Sequence, residues 1–156
     1  MNYKKILGII IIIFLMIGIN LFSSQTATES DKLSTKIAKV IVVKLGIISE
    51  NEANDDSHAI IRQADHIIRK TAHFGIYFIF ALILFIFIYS QIKNPLKTFF
   101  ISWIVATIYA MFDEYYQTFI DGRGGQIRDV IIDSLGALCG ILVCMAIITM
   151  KFRKNK

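Results

Sequence analysis

Asp113-Glu114-Tyr115-Tyr116-Gln117, followed by Asp121-Gly122-Arg123-Gly124-Gly125 and Arg128-Asp129-Val130-Ile131-Ile132-Asp133, is a polar stretch set between two strongly apolar segments. Its carboxylates, glutamine and two arginines fall along the seam where one segment gives way to the next. Ionisable groups near a bilayer are costly, so they are expected to be partnered and, by default, to mark a functional site.

Working outward from this seam, the chain of 156 residues is 55% hydrophobic, and its apolar residues come in long runs rather than spread over amphipathic elements. The expectation is an all-α integral membrane protein, four transmembrane helices in a small bundle with an external amphipathic helical loop. The third span runs from about Thr98 to Ile120, where Asp121-Gly122 breaks it, and the fourth from about Val130 to Met150. Thr71 to Tyr89 is the second, joined to the third by a tight turn over Gln91 to Lys97 around the only proline, Pro95. Ile6 to Phe22 is the first. It reads as an uncleaved anchor in preference to a signal peptide, being long for an h-region and lacking an A-x-A site.

Between the first two spans, Leu33, Ile37, Val40, Ile41, Leu45 and Ile48 recur at helical spacing among Lys32, Lys36, Lys39 and Lys44. Either an amphipathic helix on the membrane surface or a packed helix of a small external subdomain fits this pattern. Asn51 to Ser57 then reads as an acidic loop and Ala59 to Lys70 as another short helix. The division is an N-terminal anchor (1–22), an extracytoplasmic loop (23–70), a three-helix core (71–150) and a basic tail (151–156). Pairing each span with its neighbour predicts up-down-up-down connectivity.

The net charge of +5 is explained by its distribution. Lys4 and Lys5, then Lys93 and Lys97, then Lys151, Arg153, Lys154 and Lys156 all flank spans on one expected side, in regions without an acid. This positive-inside pattern puts both termini in the cytoplasm and leaves nucleic-acid binding unneeded. Cys139 and Cys144 lie within the fourth span and read as packing residues.

Depth and helical phase bring the polar residues together. Asp113 lies roughly 24 Å along a hydrocarbon core about 30 Å thick, close to the outer leaflet. His73 opens the second span from the outside, and Asp129 and Asp133 open the fourth. Arg69, His73 and Tyr77 share a face of one helix; Tyr109, Asp113, Tyr116 and Gln117 share a face of the next, with Glu114 turned away. Asp129, Asp133, Gly136 and Gly140 fall in line on the last. There the GxxxG pair lets a neighbouring backbone approach beneath the aspartates. Arg123 and Arg128 are placed to reach down to the acids.

These groups could fasten three helices together and do nothing else, but Asp113, Glu114, Asp129 and Asp133 exceed what packing requires. Acid–base work is one use, with His73 as the proton-transferring group, Asp113 and Asp129 as its partners and Arg123 holding an anionic substrate. Binding a polar head group from the outer leaflet is the other. No HExxH, CxxC or DxDxD pattern accompanies His73, so no metal and no other cofactor is expected. Ser134 lacks the G-x-S-x-G setting of a nucleophile. Gly124-Gly125 reads as a turn before an anion cradle. A transporter is disfavoured because the polar layer does not continue inward.

Arg69-Lys70-Thr71-Ala72-His73-Phe74, with Tyr77 after it, resembles the RK-x-x-HF-x-x-Y opening of the VanZ-like family. Asp113-Glu114-x-x-Gln117-x-Phe119, then Gly122-Arg123, then Asp129 before Gly136 and Gly140, is similar to its second signature, and Phe22-Ser23-Ser24-Gln25 also resembles family members. Gly75-Ile76 stands where many members have Thr-Glu, and Asp133 where Asn is common. The resemblance implies a small protein of the bacterial plasma membrane in a family whose namesake is associated with resistance to teicoplanin-type glycopeptides. It also implies a site of His73, Tyr77, Asp113, Glu114, Gln117, Arg123 and Asp129, to which position adds Arg128 and Asp133. The implied partners are the bilayer and either a lipid-linked wall precursor or the antibiotic itself.

Overall fold

The computed structural model describes residues 3–54 and 59–154. Five α-helices make up the fold: α1 (Tyr3–Ser23), α2 (Ala27–Lys44), α3 (Ala59–Ile92), α4 (Pro95–Gln117) and α5 (Ile127–Lys154). No strand occurs among the described residues. Four helices, α1, α3, α4 and α5, are long and apolar enough to cross a membrane. Phe14, Leu21, Ile86, Ile104, Ile108, Leu142 and Ile147 face outward on them, as lipid contact requires. This is a multi-pass membrane protein.

Elements expected as separate turn out to be continuous. Ala59 to Lys70 and the second span form one helix of 34 residues, about 51 Å long at 1.5 Å per residue. The composition changes at Lys70, but no Gly or Pro interrupts the backbone there, so the helix runs on. At its far end Lys93 takes a left-handed conformation (φ 57°), the Asn94 side chain accepts from the Lys97 N–H at 3.0 Å, and Pro95 occupies the first helical turn. The α4 helix ends at Gln117, three residues before the expected break. Thr118, Phe119 and Ile120 then donate to Tyr115, Tyr116 and Gln117, a tightened turn that carries the chain to Asp121.

The closest packing is between α3 and α5, two spans that are not consecutive. They run parallel. A Cβ on Gly136 would lie 2.3 Å from the Phe74 carbonyl oxygen, and one on Gly140 the same distance from that of Phe78. One turn further, the Cys144 thiol approaches the Leu82 carbonyl at 3.8 Å, again at a separation of 62 residues. The expected GxxxG contact is thus present, extended by a cysteine, and its partner is the Phe74–Leu82 backbone. Cys139, by contrast, is exposed on the same helix. The α4 helix uses the same device: Thr98, Ser102, Ala106 and Ala110 form its buried stripe, each four residues apart. The α1 helix packs more lightly, against α3 and α4.

Helix α2 packs on the first turns of α3 and closes a second, smaller core of Ala38, Val42, Ile48, Ala53 and Ile61. This agrees with the packed-helix alternative, but through a different face. The buried positions of α2 are Ser30, Ser34, Ala38 and Val42; of the six expected apolar positions Ile48 is buried, whereas Leu33, Ile37, Val40, Ile41 and Leu45 are exposed. The expected acidic loop is a short 3₁₀ turn, Glu52–Asn54, at its start. Asp55, Asp56 and Ser57 of that loop lie outside the described residues, as does Lys156 of the tail.

Candidate functional site

Four helix ends carrying polar residues meet at the end of the bundle that bears α2. Antiparallel connectivity brings the last turn of α1, the second to fifth turns of α3, the last turn of α4 and the first two turns of α5 to one level. Ser23 closes α1 by donating to Asp113 Oδ2 at 2.7 Å. His73 Nδ1 lies 3.6 Å from Asp133 Oδ1, joining α3 to α5. Lys70 pairs with Asp129 one turn above, and Arg69 pairs with Asp31 of α2 and, at 3.1 Å, with Asp65 of its own helix. Beneath, Tyr77, Phe80 and Tyr109 pack ring to ring with centroids 5.4 to 6.3 Å apart, an aromatic floor between this layer and the apolar half. The Tyr109 hydroxyl leaves the layer and donates to the Met16 carbonyl at 2.7 Å.

Above the floor opens a cavity of about 220 Å³. His73, Gln117, Arg123 and Asp129 line it, together with Arg69, Lys70 and His66. Arg123 is held there by the β-turn that it closes: its N–H donates to Ile120 at 3.0 Å, and Gly122 takes φ 76°, which a side chain would strain. Among the described residues Arg123 forms no ion pair. Partial burial, with Arg69 nearby, lowers its pKa from the ordinary arginine value, against the pull of Asp113, Glu114 and Asp31. It remains a cation, as arginine does in proteins, and one poorly compensated for its loss of water.

The nine residues expected at the site therefore divide. His73, Gln117, Arg123 and Asp129 face the cavity. Tyr77, Asp113 and Asp133 are buried below it, each 1% exposed. Glu114 turns from Asp113, as helical phase implies, and its Oε1 accepts from the Gln126 N–H at 2.6 Å, tying the end of α4 to the start of α5. Arg128 is exposed and, among the described residues, joins no ion pair, so it does not reach the acids. The partner of Asp129 is Lys70 instead.

Sequence reasoning passed over Ser23, Asp31 and Asp65. Asp65 and Arg69 stand four apart on the face that continues to His73 and Tyr77, so extending that helical phase upward would have found the pair. Nothing local marks Asp31, which arrives through the packing of α2. Several buried atoms at this end have no hydrogen-bond partner: Tyr77 Oη, Asp113 Oδ1, Glu114 Oε2, Gln117 Nε2 and Asp133 Oδ1. Buried polar atoms are normally satisfied; of the six without a hydrogen-bond partner among the described residues, five lie in this layer, the other being Ser102 Oγ further along α4. No group of three His, Cys, Asp or Glu among the described residues is arranged to hold a metal ion.

No curated protein and no solved structure matches the chain. A family model for VanZ/LLP1 matches residues 8–149, a span that includes every residue of the polar layer and its cavity. The chain accordingly belongs to the VanZ/LLP1 family of membrane proteins.

Proposed function

We propose that this protein binds the polar head of a lipid-borne cell-envelope molecule at the outer leaflet of the bacterial plasma membrane. The observation that carries this reading is the cavity itself: a polar, headgroup-sized space ringed by His73, Gln117, Arg123 and Asp129 at the end of four lipid-facing helices. At about 220 Å³ it falls below the roughly 300 Å³ at which sites for drug-sized ligands begin. A glycopeptide would not enter it, whereas a head group would. A contribution to teicoplanin resistance, as the family resemblance implies, then follows from handling an envelope molecule and not from holding the antibiotic.

Orientation rests on the lysines. Lys4 and Lys5, Lys93 and Lys97, and Lys151 cluster at the end of the bundle opposite the cavity, which supports cytoplasmic termini and an outward-facing site. In that orientation α2 lies over the outer leaflet. Its large apolar side chains, Leu33, Ile37, Val40 and Ile41, are exposed, which supports contact with the membrane surface.

A second reading has its own support. His73 faces the cavity with Asp133 behind it, and Asp113 Oδ1 and Asp133 Oδ1 have no hydrogen-bond partner. A histidine oriented by a carboxylate can transfer protons to or from a bound head group. Turnover of a lipid-linked substrate by purified protein would separate this enzyme reading from binding alone.

The test is teicoplanin susceptibility of a sensitive wall-building bacterium expressing the wild type or Asp113→Asn at matched membrane abundance. Asparagine keeps an acceptor for Ser23 and removes the charge. Protection by the wild type that is lost in the variant is the expected result. Equal protection by both would reduce the layer to scaffolding, and protection by neither would remove the resistance role.

A further inference from the structure

We propose that the cavity takes a phosphate ester borne by a membrane lipid, with Arg123 and Gln117 as its principal contacts. This rests on the head-group reading above and names the chemistry of the head. Of the three permanent cations lining the cavity, Arg69 is committed to Asp31 and Asp65, and Lys70 to Asp129. Arg123 has no such partner among the described residues. Gln117 is 5% exposed, lines the same space, and its Nε2 has no acceptor.

The groups left without hydrogen-bond partners thus divide by position, apart from Glu114 Oε2, an acceptor at the end of α4. Toward the cavity they are donors, the Gln117 amide and the Arg123 guanidinium. Below it they are the acceptors of Asp113 and Asp133, with Tyr77 beside them. An incoming group that reaches only the upper set must accept hydrogen bonds and carry negative charge. Asp31 and Asp65 are engaged by Arg69 and Asp129 by Lys70, which leaves Arg123 as the lining cation open to an added anion.

Shape favours phosphate over carboxylate. The donors approach from α4 and from the loop, with His73 of α3 on a third side, which suits a tetrahedral group better than a planar one. Arginine's fork matches phosphate oxygens in two parallel hydrogen bonds. The volume leaves no room for a long hydrocarbon. Tyr115, Phe119 and Ile127 are exposed large side chains at the same end of the bundle, on which a tail can lie outside.

The experiment uses full-length protein in a maltoside detergent and measures binding of farnesyl monophosphate, farnesol and inorganic phosphate by native mass spectrometry. Farnesyl monophosphate is expected to bind at least about tenfold more tightly than farnesol. Arg123→Gln and Gln117→Leu should each weaken the ester about tenfold without altering farnesol. Arg123→Lys should keep part of the affinity that Arg123→Gln loses, and Lys36→Gln, on α2 away from the cavity, should leave binding unchanged. Thermal melting of each variant checks the fold. Equal binding of ester and alcohol by the wild type would overturn the anion assignment while leaving the head-group reading in place. A preference that survives both Arg123→Gln and Gln117→Leu would overturn the contacts named here. Inorganic phosphate binding as tightly as the ester would overturn the lipid source in favour of free phosphate. Failure of all three probes would overturn the head-group reading as well.

Discussion

The seam between α3 and α5 and the polar layer that adjoins it, to which α1 and α4 also contribute, follow opposite rules. In the seam, Gly136, Gly140 and Cys144 meet the Phe74, Phe78 and Leu82 backbone at close range. In the layer, Tyr77 Oη and one oxygen each of Asp113 and Asp133 are buried without a hydrogen-bond partner. Close packing without loose ends is how a membrane bundle gains stability. Expensive polar atoms left unpartnered are how a site is kept ready for something else. On the function proposed above, the seam carries the fold and the layer the binding, and each part of that division can be attacked separately.

The largest effect is expected from Gly140→Val. The first atom added would meet the Phe78 carbonyl at 2.3 Å, and the obstruction is backbone, which cannot rotate away. The two helices must separate or slide. A loss of about 3 kcal/mol or more is expected, the upper end of what overpacking costs. Thermal melting in detergent and protease resistance in membranes would read it. An unchanged melt would mean that the seam does not govern the fold.

Ser23→Ala comes next, and it probes how far the layer also holds the bundle together. Its hydroxyl donates to Asp113 Oδ2, and it anchors the end of the lightly packed α1. Removing it takes that donor from a buried carboxylate, for which about 1–3 kcal/mol is expected. Ser23→Thr, which keeps the hydroxyl, should restore most of that stability. If Ser23→Ala costs as much as Gly140→Val, the division between folding and function is wrong at this point.

The sequence disclosed the two regions unequally. Long apolar runs revealed the spans, because a bilayer imposes length on any helix that crosses it. Depth and phase brought His73, Asp113, Asp129 and Asp133 to one level, because carboxylates in such segments are too rare to pass unnoticed. The direction of packing was harder to read. In water, large apolar side chains point inward, and Leu33, Ile37, Val40 and Ile41 of α2, with Leu45 just after it, suggested a buried or membrane-seated face on that ground. In this protein small residues point inward instead: Ser30, Ser34, Ala38 and Val42 on α2, and Thr98, Ser102, Ala106 and Ala110 on α4. Lipid is as apolar as leucine, so hydrophobicity does not separate inside from outside, and close approach of backbones does. GxxxG in α5 announced itself because glycine is conspicuous, whereas the Thr-Ser-Ala-Ala stripe of α4 did not. Ion pairs with Asp31 were beyond reach for another reason, since they depend on how α2 returns across α3.

The smallest effect tests whether every polar contact outside the layer is minor. The Trp103 indole N–H donates to Ser134 Oγ at 3.1 Å, and Thr107 Oγ1 lies 2.9 Å from the same oxygen, joining α4 to α5 below the site. This contact gives Trp103 a polar role beside its packing against Phe99. Trp103→Phe keeps an aromatic ring and removes the donor, while Ser134 retains Thr107. Interhelical hydrogen bonds in membranes average about 0.6 kcal/mol, because the separated helices also find partners. A loss of that size is expected in a cycle pairing Trp103→Phe with Ser134→Ala. Thr107 can turn to a backbone carbonyl one helical turn back when Ser134 is lost, so the coupling should stay small in both arms. A coupling above about 2 kcal/mol would show a buried polar contact of structural weight outside the layer. Unpartnered atoms alone, and not polarity as such, would then mark where the function resides.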